Sequence, residues 1–259
     1  MHAMTAAVSS PSSPGYPHPG GSTAGRTNVE YRLAKLASYN LLKGVWLDCG
    51  CADGGYTNAL VEWGVDKAVG VDPDEERVHQ ARLNSRSVAV EFHRCSTLLP
   101  FPDMSFDGVL LNEVLEHVED EAATLREIKR VLKPAGHLVV MSPNRFFPFE
   151  GHGLRVAGVN LPFPVPLVPW LPKSWVLPLM AARNYWPHEL KQLVVDAGLK
   201  IVDAGYVLPV FEVYPWIPKR LISAYRRMMP AIERTPLRRF GVSTLVVATR
   251  RPEPERTAR

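Results

Sequence analysis

The sequence predicts an α/β fold: a doubly wound sheet, mostly parallel with a last antiparallel strand, and an irregular apolar insert after the fifth strand. Three observations predict it. Between residues 45 and 142, short apolar runs alternate with amphipathic helical stretches, the rhythm of a parallel sheet with helices on both faces. After Pro143 that rhythm breaks into a stretch rich in proline and aromatic residues. A final β-branched run, TLVVAT, closes the pattern.

The elements follow in order. Residues 1–27 are rich in Ser, Pro, Gly and Thr and cannot bury enough apolar surface to offset chain entropy, so they read as a disordered tail. A helix is predicted over 31–42. Residues 45–49 (VWLDC) form the first strand and 54–63 the next helix. The second strand, 68–71, is closed by Asp72, and 74–84 is a polar helix whose acidic first turn suits the helix dipole. Strands three and four occupy 88–93 and 106–111. The charged helix 120–132 starts in an exposed acidic run and is stopped by Pro134 and Gly136 before the fifth strand, 137–142. The insert follows, then a helix over 187–197 ended by Gly198, and a sixth strand over 200–207. A second irregular region, 209–239, precedes the last strand, 244–249, and a frayed tail from 252.

Composition narrows the class. With 259 residues, 46% hydrophobic and 22% charged, the chain is long enough for a sizeable core, and fibrous or wholly disordered readings are excluded. The formal charge of +4 is unevenly spread. Residues 219–259 hold 11 basic and 3 acidic residues, a net of +8, which leaves the first 218 residues at −4. Three cysteines, Cys49, Cys51 and Cys95, make neither a disulfide framework nor a zinc site. The N-terminus has no apolar signal-peptide region, and prolines break the apolar stretch 156–180, which excludes a spanning helix there. A reducing, cytoplasmic setting is expected.

The chemistry is carried by the turn after the first strand, LDCGCADGG. Glycines let the backbone approach a ligand, and the following helix offers free N–H groups. Asp72 stands where an acid accepts hydrogen bonds from ribose hydroxyls. Read as Gly50-x-Ala52-x-x-Gly55, the turn is a weak dinucleotide fingerprint. Read as Asp48-x-Gly50-x-Ala52-x-Gly54, it resembles the first motif of class I S-adenosylmethionine-dependent methyltransferases, of the type 11-like group. Asp48 discriminates, because a carboxylate there repels a pyrophosphate and suits an ammonium group. The segments FDGVLLNEVLEHV, RVLKPAGHLVV and YWPHELKQLVVDAGL resemble the same family, in the right order and spacing.

That resemblance implies a Rossmann-like domain over 28–251, with 146–185 and 209–239 as lid or acceptor segments, and S-adenosylmethionine as cofactor. Asp48, Gly50, Ala52 and Gly54 would hold the methionine end, and Asp72 the ribose. The loop after the third strand would clasp the adenine, with Asn112 as the pocket floor. Two positions depart from the pattern. Ala52 replaces a glycine, and Cys95 stands where many relatives carry an acid, which shifts adenine recognition to backbone groups and Ser96.

Hydroxyl methylation requires removal of a proton by a base or a metal. Glu113, Glu116 and His117 form an E-x-x-E-H pattern that shares one face if helical. The pattern is similar to the metal site of small-RNA 2′-O-methyltransferases and ubiquinone-biosynthesis O-methyltransferases. A divalent metal is one expectation, with His152 as a further ligand. The other is that Glu116 and His117 only shape the pocket. The proline-stiffened aromatic segments suit a hydrophobic acceptor site. The basic, amphipathic stretch 219–229 has the pattern of a helix lying on a membrane surface, as well as that of a solvated edge helix. Three readings stay open: O-methylation of a small-molecule, sugar or lipid-linked acceptor; metal-dependent RNA 2′-O-methylation, disfavoured by the absence of an RNA-binding module; and a non-catalytic cofactor-binding, membrane-associated protein.

Overall fold

The computed structural model describes residues 23–251 apart from 97, 151–153, 157–158, 162–164, 181 and 214–215. The expected tails 1–22 and 252–259, and His152, lie outside the described residues. In chain order the elements are α1 (Thr23–Ala37), β1 (Val45–Cys49), α2 (Gly55–Glu62), β2 (Lys67–Asp72), α3 (Glu75–Leu83), β3 (Val90–Arg94), β4 (Phe106–Asn112), α4 (Glu121–Val131) and β5 (Leu132–Pro143). The insert holds the short strands β6 (Phe149–Glu150), β7 (Leu154–Val156), β8 (Val159–Leu161) and β9 (Val165–Pro166), and the single-turn α5 (Lys173–Val176). Then come α6 (Pro187–Asp196), β10 (Leu199–Val207), α7 (Lys219–Glu233) and β11 (Ser243–Arg250).

Seven strands make one sheet in the order β10-β11-β5-β4-β1-β2-β3. β1 runs parallel to both β2 and β4, and β11 runs antiparallel to both β5 and β10. The fold class read from the sequence is therefore the observed one. Strand order reverses between β1 and β4, which opens a crevice beyond their carboxyl ends, the place where doubly wound sheets bind ligands.

Side-chain alternation sorts the strands onto two cores. Leu47, Val109, Leu138 and Val140 pack with Leu125 and Ile128 of α4 on one face. Trp46, Leu110, Val139 and Met141 pack with Leu33 and Leu36 of α1 on the other. Each such fully buried side chain contributes about 1.5–3 kcal/mol. Asp74 and Asp120 cap α3 and α4, each carboxylate accepting a backbone N–H of the first turn.

Four local expectations change. α1 begins at Thr23, inside the stretch read as disordered tail, and it ends at Ala37 because Asn40 turns left-handed at φ 55°. β5 starts at Leu132, so the α4 helix hands directly to the strand without the proline-glycine break. The region 209–239 is not irregular: it contains the 15-residue α7, whose buried Met229 and half-buried Tyr225 anchor it. The E-x-x-E-H segment is a turn rather than a helix, with Glu113 at φ 55°.

Candidate functional site

The turn from Gly50 to Gly54 crosses the end of β1 with left-handed backbone at Gly50 (φ 80°), Ala52 (φ 48°) and Gly54 (φ 83°). A Cβ on Gly54 would lie 2.6 Å from Phe92 Cζ, so both conformation and space demand glycine there. Gly50 N–H and Cys51 N–H donate to Val71 O at 2.8 and 2.9 Å, which ties the turn to the end of β2.

Asp72 closes β2. Its Oδ2 accepts the Ala52 N–H and its Oδ1 the Asp74 N–H, both at 3.0 Å. The carboxylate is thereby fixed between the turn and the start of α3, and each oxygen keeps a second lone pair for a ligand hydroxyl. Beside it, Pro73, Arg94, Cys95, Ser96, Leu98 and Pro100 line a cleft of about 420 Å³. Ser96 is exposed along this cleft, and Cys95 is buried with its thiol donating to Leu98 O at 2.9 Å. Cys95 thus fills the acid's place as a small buried residue.

Asp48 is enclosed. It is 2% exposed, and the Thr57 hydroxyl donates to its Oδ2 at 2.6 Å. Burial pushes its pKa up to about 7, with the nearby Asp72 charge adding to the effect and the Thr57 hydrogen bonds opposing it. Its carboxylate braces β1 against α2 and presents almost no surface to an ammonium group.

At the end of β4 the structure shows a partner that sequence reasoning missed. Arg32 of α1 is buried, and its Nη1 donates to Asn112 Oδ1 at 2.6 Å and to Glu113 Oε1 at 2.8 Å. Its Nη2 donates to Ser243 Oγ at 3.0 Å, and Ser243 in turn donates to Glu113. One guanidinium therefore joins α1, β4 and β11. The only signal for it was an arginine inside an otherwise apolar helix face (Val29, Leu33, Leu36). Asn112 faces this network with its carbonyl oxygen engaged.

Glu116 lies on the same turn. Its Oε2 accepts from Ser142 Oγ at 3.2 Å, while Oε1 is buried without a hydrogen-bond partner. Burial and the neighbouring Glu113 hold its pKa well above the usual carboxylate range. His117 is exposed. The turn thus brings Glu113 and Glu116 together but leaves His117 at the surface. Among the described residues, no group of three or more His, Cys, Asp or Glu side chains is placed to hold a metal ion. Of the residues expected to hold a divalent cation, Glu113 is already paired with Arg32, and His152 lies outside the described residues.

Residues 47–140 match the family described as a methyltransferase domain. Over these residues the chain has the pattern of a methyltransferase domain. It is 31% identical over 177 residues to the ubiquinone biosynthesis O-methyltransferase of Bradyrhizobium sp. (strain ORS 278), an alignment spanning 66% of this chain and 64% of that protein. The chain thus spans just under two thirds of the length of that curated relative. An S-adenosylmethionine-dependent methyltransferase from Mesorhizobium loti shares the fold, with a TM-score of 0.59 at 18% identity, over 84% of this chain and 96% of that one. The [4+2]-cyclase SpnF also shares it, with a TM-score of 0.56 at 22% identity, over 86% and 81%. The glycine turn, Asp72 and the cleft thus lie together on one edge of the sheet.

Proposed function

We propose that this chain is an S-adenosylmethionine-dependent methyltransferase acting on oxygen of a small, apolar or lipid-linked acceptor. The observation that carries the reading is the glycine turn locked to Asp72 beside the cleft at Ser96, on the edge where strand order reverses. The bound donor supplies an already activated methyl group. What remains for the protein is to hold and align the partners and exclude water. Asp72 would accept the ribose hydroxyls, Gly50, Ala52 and Gly54 would pass backbone along the methionine end, Ser96 would border the adenine, and Asn112 would floor the pocket. Asp48 acts in this reading by bracing the turn. Glu113 and Arg32 set the wall beside the reacting atoms. Glu116, buried beside Glu113 and bonded to Ser142, would shape the same wall. His117, at the open rim, and His152 are the candidate bases. The similarity to an O-methyltransferase supports oxygen as the acceptor atom. Incubation with methyl-labelled donor and a panel of phenolic, sugar and prenylated acceptors tests it. A mass gain of one methyl on an oxygen is expected, and donor bound without transfer to any acceptor would favour the non-catalytic reading.

The reading includes contact with a membrane surface through residues 219–229. On α7, Leu221, Ala224, Met228 and Ala231 are exposed in one stripe, beside exposed Arg220, Arg227 and Arg234 spaced seven apart. Glu212 and Glu233 face inward, paired with Arg226 and Lys35. Among the described residues no helix is long and apolar enough to cross a membrane. An apolar stripe with an arginine border suits an anionic bilayer better than RNA, whose backbone asks for charge and stacking platforms. The protein is expected to co-sediment with vesicles containing phosphatidylglycerol and not with phosphatidylcholine alone. Replacing Arg220, Arg227 and Arg234 by Gln is expected to abolish sedimentation, and unchanged sedimentation would contradict this contact.

A further inference from the structure

Arg145 follows β5 directly, at the same carboxyl edge of the sheet as the candidate site. Its backbone N–H donates to Tyr185 O at 2.9 Å, and the preceding Asn144 N–H donates to Val242 O at 3.0 Å, so the position is pinned from two sides. The side chain is 3% exposed. Its guanidinium lies over the Trp186 ring, 5.2 Å from the centroid, and Phe146 packs edge-on against the same ring at 5.0 Å. Nη2 donates to the Leu171 carbonyl. Nε and Nη1 are buried without any hydrogen-bond partner, and among the described residues no carboxylate forms an ion pair with the group.

A buried charge left this way is unusual. Guanidinium groups stay charged in proteins, and interiors hold them only when paired and hydrogen-bonded. Among the described residues the other buried arginines have fuller partnering: Arg32 pairs with Glu113, and Arg250 donates to three backbone carbonyls. Near Arg145 the acid of the same region, Glu189, is already held by Lys173 at 2.6 Å and by the Trp186 N–H. Desolvation lowers the Arg145 pKa, with Glu189 opposing only weakly. Among the described residues, no anion meets these two donors.

We propose that Arg145 is the receptor for an oxyanion, a carboxylate or phosphate, carried by the methyl acceptor, with Trp186 and Phe146 covering the apolar body attached to it. The assignment rests on the reading of this edge as a methyltransferase site and sharpens it: the acceptor is an acid with an apolar or aromatic frame. An oxyanion satisfies Nε and Nη1 with charge-assisted hydrogen bonds, and arginine is suited to it by its planar donors. Arg145 would bind and orient the acceptor; it takes no proton.

The test uses calorimetry on the full chain saturated with S-adenosylhomocysteine, with 2-naphthoate, 2-naphthamide, 1-naphthyl phosphate and inorganic phosphate as probes. One of the two naphthyl anions is expected to bind at least about tenfold more tightly than the amide, the factor of one charge-assisted pair. The stronger of the two tells carboxylate from phosphate, and inorganic phosphate shows how much the apolar frame adds. Arg145→Met is expected to erase the preference while S-adenosylhomocysteine affinity stays as in the wild type, and Arg145→Lys to retain part of it. Equal binding of anions and amide by the wild type, or binding of none of the probes at millimolar concentration, would overturn the proposal even if the variants failed to fold. A preference that survives in Arg145→Met would do the same. Absence of S-adenosylhomocysteine binding by the wild type would instead strike the underlying methyltransferase reading.

Discussion

At the scale of single residues, the site is organised by buried polar groups, most of them held by named partners. Asp48 illustrates the energetics. Its pKa is raised in the folded chain to about 7 from an ordinary 3.8. The folded state therefore holds the proton more tightly than the unfolded one. That contribution to stability is fully present below about pH 4 and is lost as pH rises through 7, a change on the order of 4 kcal/mol if no other group compensates. Asp48→Asn, which keeps a hydrogen-bond acceptor for Thr57, is expected to remove this pH dependence. Denaturant midpoints measured from pH 4 to pH 8 check it, and parallel curves for variant and wild type would refute it. The Gly50–Gly54 turn and the position of Asp72 at the end of β2 were legible in the sequence because a strand followed by a left-handed turn has a strict local signature, whereas the enclosure of Asp48 by Thr57 was not. Arg32 and Arg145 were not: each matters through partners distant in the chain, and one sequence carries no trace of such pairings.

Among the elements, α1 and the turn after β4 behave as one unit. Arg32 links them through Asn112, Glu113 and Ser243. Removing one partner of a buried pair leaves the other's charge uncompensated, at a typical cost of about 3–5 kcal/mol. Glu113 keeps 26% side-chain exposure, so Arg32→Met is expected to cost less, about 2–3 kcal/mol. The double variant Arg32→Met/Glu113→Gln is expected to recover part of it. Thermal unfolding of the four proteins of this cycle checks the coupling, and simple additivity would contradict it. The same turn shows why helical spacing misled. E-x-x-E-H at i, i+3, i+4 predicts a shared face only if the backbone is helical. The left-handed Glu113 breaks the helix before it starts and separates the exposed His117 from the buried Glu116. Strands and capped helices were readable to within a few residues, since period and N-cap acids are local. The helix α7 was only half read: its basic amphipathic run was visible, while its continuation through Pro230 to Glu233 depends on packing against α1 and Phe211.

For the whole molecule, charge and proline separate two roles. The sheet and its flanking helices form the edge proposed to hold the cofactor, and the prolines concentrate in the insert that supplies Trp186's surroundings and the Leu171 carbonyl to Arg145. The basic excess gathers on and after α7, where arginines face outward and acids inward. Fold alone does not select the reaction, as the shared architecture of a [4+2]-cyclase shows. The claim on which everything else rests is that the Gly50–Gly54 turn, Asp72 and the Ser96 cleft hold the donor. Calorimetric titration of the full chain with S-adenosylhomocysteine tests it most directly, with Gly54→Ala as the comparison because a Cβ there would meet Phe92. The account predicts one site per chain with micromolar affinity in the wild type and at least about a tenfold loss, 1.4 kcal/mol, in the variant. No binding by the wild type, or undiminished binding by a folded Gly54→Ala, would contradict it.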